Sequence, residues 1–173
     1  MRIIAGKWRG RPIAAPKGQA TRPTSDRARE AIFSMLASRV GSFEGLAVAD
    51  VFAGSGALGL EALSRGAASC VFIDSDRSAV EAIRANLKTL GAEAEVRAGN
   101  AANVRLVQPI DLAFLDPPYG SGLAGAALAN LPLVSGGLAS VETERGERVE
   151  AEGFEVEVER AYGKARITLL RRL

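Results

Sequence analysis

Apolar positions along the chain follow two spacings: the three-to-four-residue step of a helix and short unbroken runs suited to buried strands. Thr24 or Ser25 can cap a helix over about Asp26 to Arg39, with Ala28, Ile32, Phe33, Leu36 and Val40 on one face and Gly41 as a stop. Leu46 to Phe52 reads as a buried strand, followed by a helix through Leu58, Leu60, Ala62 and Leu63 to Gly66. Val71 to Ile73 predicts a second strand. Ser75 or Asp76 then caps a helix through Val80, Ile83 and Leu87 to Gly91, and Ala94 to Arg97 is a short third strand. Ile110 to Leu115, a helical Ala124 to Leu131 and Leu138 to Glu142 continue the alternation, which predicts a parallel sheet with right-handed crossovers. Near the end the period changes to two. Phe154, Val156 and Val158 alternate with Glu155, Glu157 and Glu159, and a turn at Tyr162-Gly163 leads into Ala165, Ile167 and Leu169, which predicts a β-hairpin.

Composition narrows the class. At 173 residues the sequence is expected to form one domain, large enough for a substantial core but too small for a separate substrate domain. No apolar run approaches the roughly 18 residues of a membrane span, and Ile3-Ile4-Ala5 is too short for a signal-peptide core. The single Cys70 lies in an apolar stretch and has no partner for an internal disulfide, which fits a buried strand residue and a reducing, cytoplasmic setting. The absence of histidine removes imidazole catalysis and most zinc sites, and no metal is expected.

Charge is uneven. Residues 1–29 carry eight basic side chains against Asp26 alone, a net +7, whereas the remaining 14 basic and 19 acidic residues give −5. Interleaved with Gly6, Trp8, Gly10 and Pro12, the cations Arg2, Lys7, Arg9 and Arg11 suit a phosphate-contacting arm with one stacking ring. A solvated arm that only keeps the protein soluble explains the same charges. The run Glu142, Glu144, Glu147, Glu150 and Glu152 is most simply a solvated loop and edge.

Two motifs carry chemistry. The fourth predicted strand ends in Asp116-Pro117-Pro118-Tyr119. An amine conjugated to a ring is a poor nucleophile, and the Asp116 carboxylate with the Pro117 carbonyl can hold its two N–H bonds and favour the pyramidal nitrogen that attack requires. Consecutive prolines bring no N–H donors, and Tyr119 offers a ring face to a planar target. The first strand ends in the turn Phe52-Ala53-Gly54-Ser55-Gly56-Ala57-Leu58-Gly59, and Asp74 closes the second. This pattern signals close backbone approach to a ligand at a helix N-terminus, with a carboxylate placed for ribose hydroxyls. By itself it fits NAD as well as S-adenosylmethionine. The proline motif, the basic arm and the lack of a substrate domain favour the sulfonium donor, and the two motifs together point to methyl transfer onto a flat amine.

Across almost its whole length the chain resembles the bacterial RsmD-type methyltransferases, which methylate the exocyclic N2 of a guanine in 16S ribosomal RNA. The matching segments are Arg2-Ile3-Ile4-Ala5-Gly6-Lys7-Trp8-Arg9-Gly10-Arg11, Arg22-Pro23-Thr24-Ser25-Asp26-Arg27-Ala28-Arg29-Glu30, Phe52 to Ala62, and Asp116-Pro117-Pro118-Tyr119. Related proteins commonly carry glutamate where this chain has Asp74. The resemblance implies a Rossmann-like class I fold dependent on S-adenosylmethionine, a mostly parallel seven-stranded sheet with a C-terminal antiparallel hairpin. It also implies a basic arm over residues 1–23 preceding one domain over residues 24–173. Asp116, Pro117 and Tyr119 are the expected catalytic residues. Phe52, Ala53, Gly54, Ser55, Gly56, Gly59, Asp74, Ser75, Asn100 and Ala101 are expected around the cofactor, Asn100 having an equal claim as a turn residue. Arg2, Lys7, Trp8, Arg9, Arg11, Arg22 and Thr24 are expected to meet substrate. The implied partner is 16S ribosomal RNA within the 30S subunit or an assembly intermediate, with the protein a monomer. A DNA adenine-N6 methyltransferase shares the two motifs but usually needs a target-recognition insertion, and a non-catalytic RNA-binding module leaves the proline motif without a purpose.

Overall fold

A computed structural model describes residues 1–18 and 24–173. Among these, seven strands share one sheet in the order β3-β2-β1-β4-β5-β7-β6: β1 (Ala47–Val51), β2 (Ser69–Asp74), β3 (Glu95–Ala98), β4 (Ile110–Leu115), β5 (Leu133–Glu144), β6 (Phe154–Tyr162) and β7 (Ala165–Arg172). The first five are mutually parallel. β7 runs antiparallel to β5, and β6 antiparallel to β7. The four helices are α1 (Asp26–Val40), α2 (Ala57–Ser64), α3 (Arg77–Leu90) and α4 (Leu123–Asn130). The sequence-based elements all form. β5 begins five residues earlier than expected, because its pairing with β4 shifts register between Ile110 and Leu112 and so takes in the Gly136-Gly137 stretch.

Period-two burial divides the central strands between two cores. Val48, Cys70, Phe72, Leu112 and Phe114 face a cluster completed by Ile32, Phe33 and Leu36 of α1, Leu60 and Leu63 of α2, and Ile83 and Leu87 of α3. Ala49, Val51, Val71, Ile73, Ala113 and Leu115 face the opposite cluster, where Ala124, Ala127 and Leu128 of α4 pack. Cys70 is buried in β2, as its apolar neighbours predict. Ser25 caps α1 by accepting from the Ala28 N–H at 3.1 Å, and Asp76 caps α3 by accepting from the Ser78 N–H at 2.7 Å. No helix of the described residues is long and apolar enough to cross a membrane.

The N-terminal segment is part of this structure rather than a loose arm. Ile3 and Ile13 are buried in the same cluster as Phe33, and a bridge between Arg2 and Pro12 folds the segment back on itself. Glu61 of α2, fully buried, accepts from the Ile4 N–H at 2.9 Å and the Ala5 N–H at 3.0 Å. Arg29, also fully buried, lies 3.7 Å from the Glu61 carboxylate and donates to the Arg2 carbonyl at 2.8 Å. Gly6 passes so close to the end of α2 that a Cβ there would stand 1.9 Å from the Ser64 carbonyl oxygen. The expected boundary at residue 23 lies outside the described residues.

Candidate active site

In an open parallel sheet, ligands bind beyond the carboxyl ends of the strands where connections leave in opposite directions. Here that point lies between β1, whose next strand β2 is on one side, and β4, which sits on its other side. The register Val51↔Leu115 brings the ends of these two strands level, so the glycine turn and the proline motif open on one cleft.

The glycine turn is shaped by backbone conformation. Phe52 holds φ +59°, a left-handed value rare for a bulky side chain, and Gly54 and Gly56 also have positive φ. Asp74 at the end of β2 steadies this turn, accepting from the Gly54 N–H and the Asp76 N–H, each at 2.9 Å. Phe52, Ala53, Gly54 and Ser55 are half-buried, Gly56 is buried, and Ser75 is exposed beyond Asp74. Gly59 is placed differently from the expectation. It lies inside the core, where a Cβ would come within 2.4 Å of the Phe72 ring and 2.7 Å of Cys70 Sγ, so its role is close packing of α2 on β2. Asn100 caps a turn, its side-chain oxygen accepting from the Ala102 N–H at 3.0 Å, and the adjoining Ala101 is buried.

Four carboxylates converge on the cleft. Asp50, 3% exposed, accepts from the Gly59 N–H at 2.9 Å, and burial, opposed by that bond and reinforced by Asp74, pushes it up to about 8. Asp116 follows directly after β4. Burial, then the charges of Glu142, Asp50 and Asp74, hold its carboxyl well above the usual range. Burial and mutual repulsion both oppose ionisation of these carboxyls, and a cationic ligand would relieve that penalty. Pro117 is buried against the strand end, while Tyr119 remains 47% exposed with its hydroxyl donating to Glu142 Oε1 at 3.1 Å. The Gly120 N–H donates to Glu147 at 3.0 Å, which fixes the loop after the motif.

The structure brings Thr24 into this group. Its hydroxyl donates to Glu142 Oε2 at 3.1 Å, while Ser25 performs the helix capping. Glu142 therefore stands at the cleft and not on a solvated edge. Arg2, Lys7, Arg9 and Arg11 are exposed on the N-terminal segment. Two are tied to backbone: Arg2 donates to the Gly10 carbonyl and Arg11 to the Thr89 carbonyl, both at 2.7 Å. Trp8 is half-buried against the core, and the Lys7 ammonium lies 4.5 Å from its ring centroid, so the ring is partly committed to the protein. Arg22 lies outside the described residues.

Sequence reasoning passed over Asp50 and Asn86 and read Glu142 as part of a solvated loop and edge. Asn86 of α3, buried, joins the segment to the cleft: it accepts from the Ala14 N–H at 2.9 Å and donates to the Ala14 and Ser55 carbonyls at 3.0 Å. A polar residue amid the apolar positions of a helix was the available signal for Asn86. For Asp50 it was a lone carboxylate inside a run predicted to be a buried strand.

Sheet order, terminal hairpin and cleft place the chain in the class of Rossmann-like methyltransferase folds. Residues 1–171 match the family model described as conserved hypothetical protein 95, and the chain belongs to that family. Among its relatives, ribosomal RNA small subunit methyltransferase D of Escherichia coli is 44% identical over 126 residues, 71% of this chain and 62% of that protein. The protein of the same name in Haemophilus influenzae is 39% identical over 157 residues, 84% of this chain and 79% of that one. The solved structure of yhhF from Escherichia coli superposes with a TM-score of 0.86 at 37% identity, covering 99% of this chain and 97% of that one.

Proposed function

We propose that this protein transfers a methyl group from S-adenosylmethionine to the exocyclic N2 of a guanine in 16S ribosomal RNA, acting in the cytoplasm as a monomer on the 30S subunit or an assembly intermediate. The observation that supports this reading is the level register of Val51 and Leu115, which puts the glycine turn and the proline motif, read here as nucleoside-binding and amine-binding, at adjacent strand ends. The relatives named for methylation of small-subunit ribosomal RNA supply the substrate class.

The residues fit such a donor. Sulfonium and ammonium charges match the carboxylate cluster, and the Asp74 carboxylate, at the end of β2 beside the turn, suits a pair of ribose hydroxyls. When bound, the donor supplies an electrophilic methyl whose loss leaves a neutral thioether. The protein's contribution is mostly placement, which can supply roughly 7 to 11 kcal/mol of a barrier when reacting atoms are held near contact. Asp116 and the Pro117 carbonyl orient the amine, and Tyr119 stacks against the extruded base. Nitrogen becomes acidic only after methylation, so no strong base is needed beforehand; water, or Asp116 once the donor's positive charge has drawn its carboxyl back toward ionisation, takes the proton late. The exposed Arg2, Lys7, Arg9 and Arg11 lie on the segment that would track phosphates.

The test is label transfer from S-adenosylmethionine to unmethylated 30S particles, naked 16S RNA and DNA, with the product nucleoside identified by mass spectrometry. N2-methylguanosine from 30S particles is expected. N6-methyladenosine in DNA would overturn the reading.

A further inference from the structure

Two acceptors at the proline motif satisfy the two N–H bonds of any primary amine on a ring, adenine N6 as readily as guanine N2. What separates the two bases is the ring atom beside the amine. Beside its amine guanine carries a donor, N1–H, on one side and the bare N3 on the other, whereas adenine has no ring N–H there and presents the acceptor N1. A site that selects guanine therefore needs a further acceptor next to the amine site, held so that it cannot swing away.

Glu142 meets these requirements. It lies on β5 just past Val141, which pairs with Leu115, so it stands level with Asp116 at the neighbouring strand end. Its charge acts on Asp116 more strongly than that of any other carboxylate. Each oxygen is fixed by a hydroxyl donor, Oε1 by Tyr119 and Oε2 by Thr24, both at 3.1 Å. A carboxylate has about four acceptor positions, so these two bonds leave room for another donor. The bond from the Tyr119 hydroxyl also puts the carboxylate at the rim of the ring on which a base would stack, where the edge of that base is presented.

We propose that Glu142 reads the N1–H of the acceptor guanine, so that rejection of bases lacking a ring N–H beside the amine resides in β5 and not in the proline motif. The inference rests on the proposed guanine-N2 activity and adds a specificity residue to it. Thr24 and Tyr119 act as positioning residues that keep the carboxylate turned toward the cleft.

The test uses 30S subunits rebuilt with RNA carrying either guanine or 2,6-diaminopurine at the nucleotide the protein methylates. Diaminopurine keeps the 2-amino group but presents a bare N1. For the unaltered protein, kcat/KM is expected to favour guanine by on the order of 10- to 100-fold, the size of a lost bond to a charged acceptor plus the repulsion that replaces it. Glu142→Gln keeps the shape and offers an amide N–H to the bare N1, so the preference should collapse to within a few-fold or invert. Glu142→Ala should lower activity on both bases and also narrow their ratio. An unchanged ratio in a folded, donor-binding Glu142→Gln variant overturns the proposal while leaving guanine methylation standing. Absence of N2-methylguanosine with the unaltered protein overturns both.

Discussion

Asp116 and Asp50 are both carboxylates in a negative cleft, yet their burial gives them different duties. On the proposed mechanism Asp116 holds the acceptor amine, so Asp116→Ala should lower kcat/KM for methyl transfer by about 100-fold or more, the scale of losing an electrostatic group at the reacting centre. Donor affinity measured by calorimetry should stay within a few-fold. Asp50 lies deeper, with its carboxyl at about 8 when folded against an ordinary value of 3.8. The unfolded chain gives up this proton first, so between about pH 4 and pH 8 the folded state holds more protons and stability falls as pH rises, levelling above 8. Asp50→Asn keeps an oxygen for the Gly59 N–H and removes the ionisation. The variant should be the more stable form at pH 8 by on the order of a few kcal/mol, with the difference shrinking toward pH 4. Denaturant unfolding at several pH values measures it. A cationic donor offsets the same penalty, so its affinity for the unaltered protein should rise with pH across this window, and more steeply than its affinity for the variant, which keeps the raised Asp116 carboxyl.

At the scale of elements, the first residues and α2 form one unit. Glu61 joins two backbone N–H groups of the segment to Arg29 and also accepts from Arg65 at 3.0 Å. Glu61→Ala strands the buried Arg29 charge beside only Asp26 and should cost about 3 to 5 kcal/mol in thermal or denaturant unfolding. Gly6→Ala should act more locally. Its φ of +86° and the 1.9 Å that would separate an added Cβ from the Ser64 carbonyl oxygen require the segment to lift, which limited proteolysis within residues 1–18 would report. Elements were largely legible in the sequence, because strand and helix periods are local properties of the chain and the cores here alternate cleanly. The segment was not. Its pairing depends on residues more than 50 positions away, and an isolated charge such as Arg29 or Glu61 gives no local sign that it will be buried. Glu142 was misread for the same reason: one glutamate in an acidic run carries no sign that it faces Asp116.

For the whole molecule, the cleft's position was legible because glycine turn and proline motif each end a predicted strand, while the level register that joins them follows from sheet order. The charge asymmetry of the chain becomes a spatial one, with Arg2, Lys7, Arg9 and Arg11 on a fixed surface and the carboxylates gathered in the cleft. Binding to 16S RNA should weaken steeply with salt. Arg9→Ala should reduce the slope of log affinity against log salt by about 0.7 to 0.9 if it neutralises one phosphate, without altering which base is methylated. Filter binding across a salt series checks this. Because the segment is moored by Glu61, Asn86 and Thr89, its cationic surface cannot take shape on an emerging nascent chain until nearly ninety residues have left the synthesis tunnel. A prematurely terminated product ending before α3 would carry the same basic residues as a shapeless tail, drawn to nucleic acid by charge yet unable to present a target to any cleft.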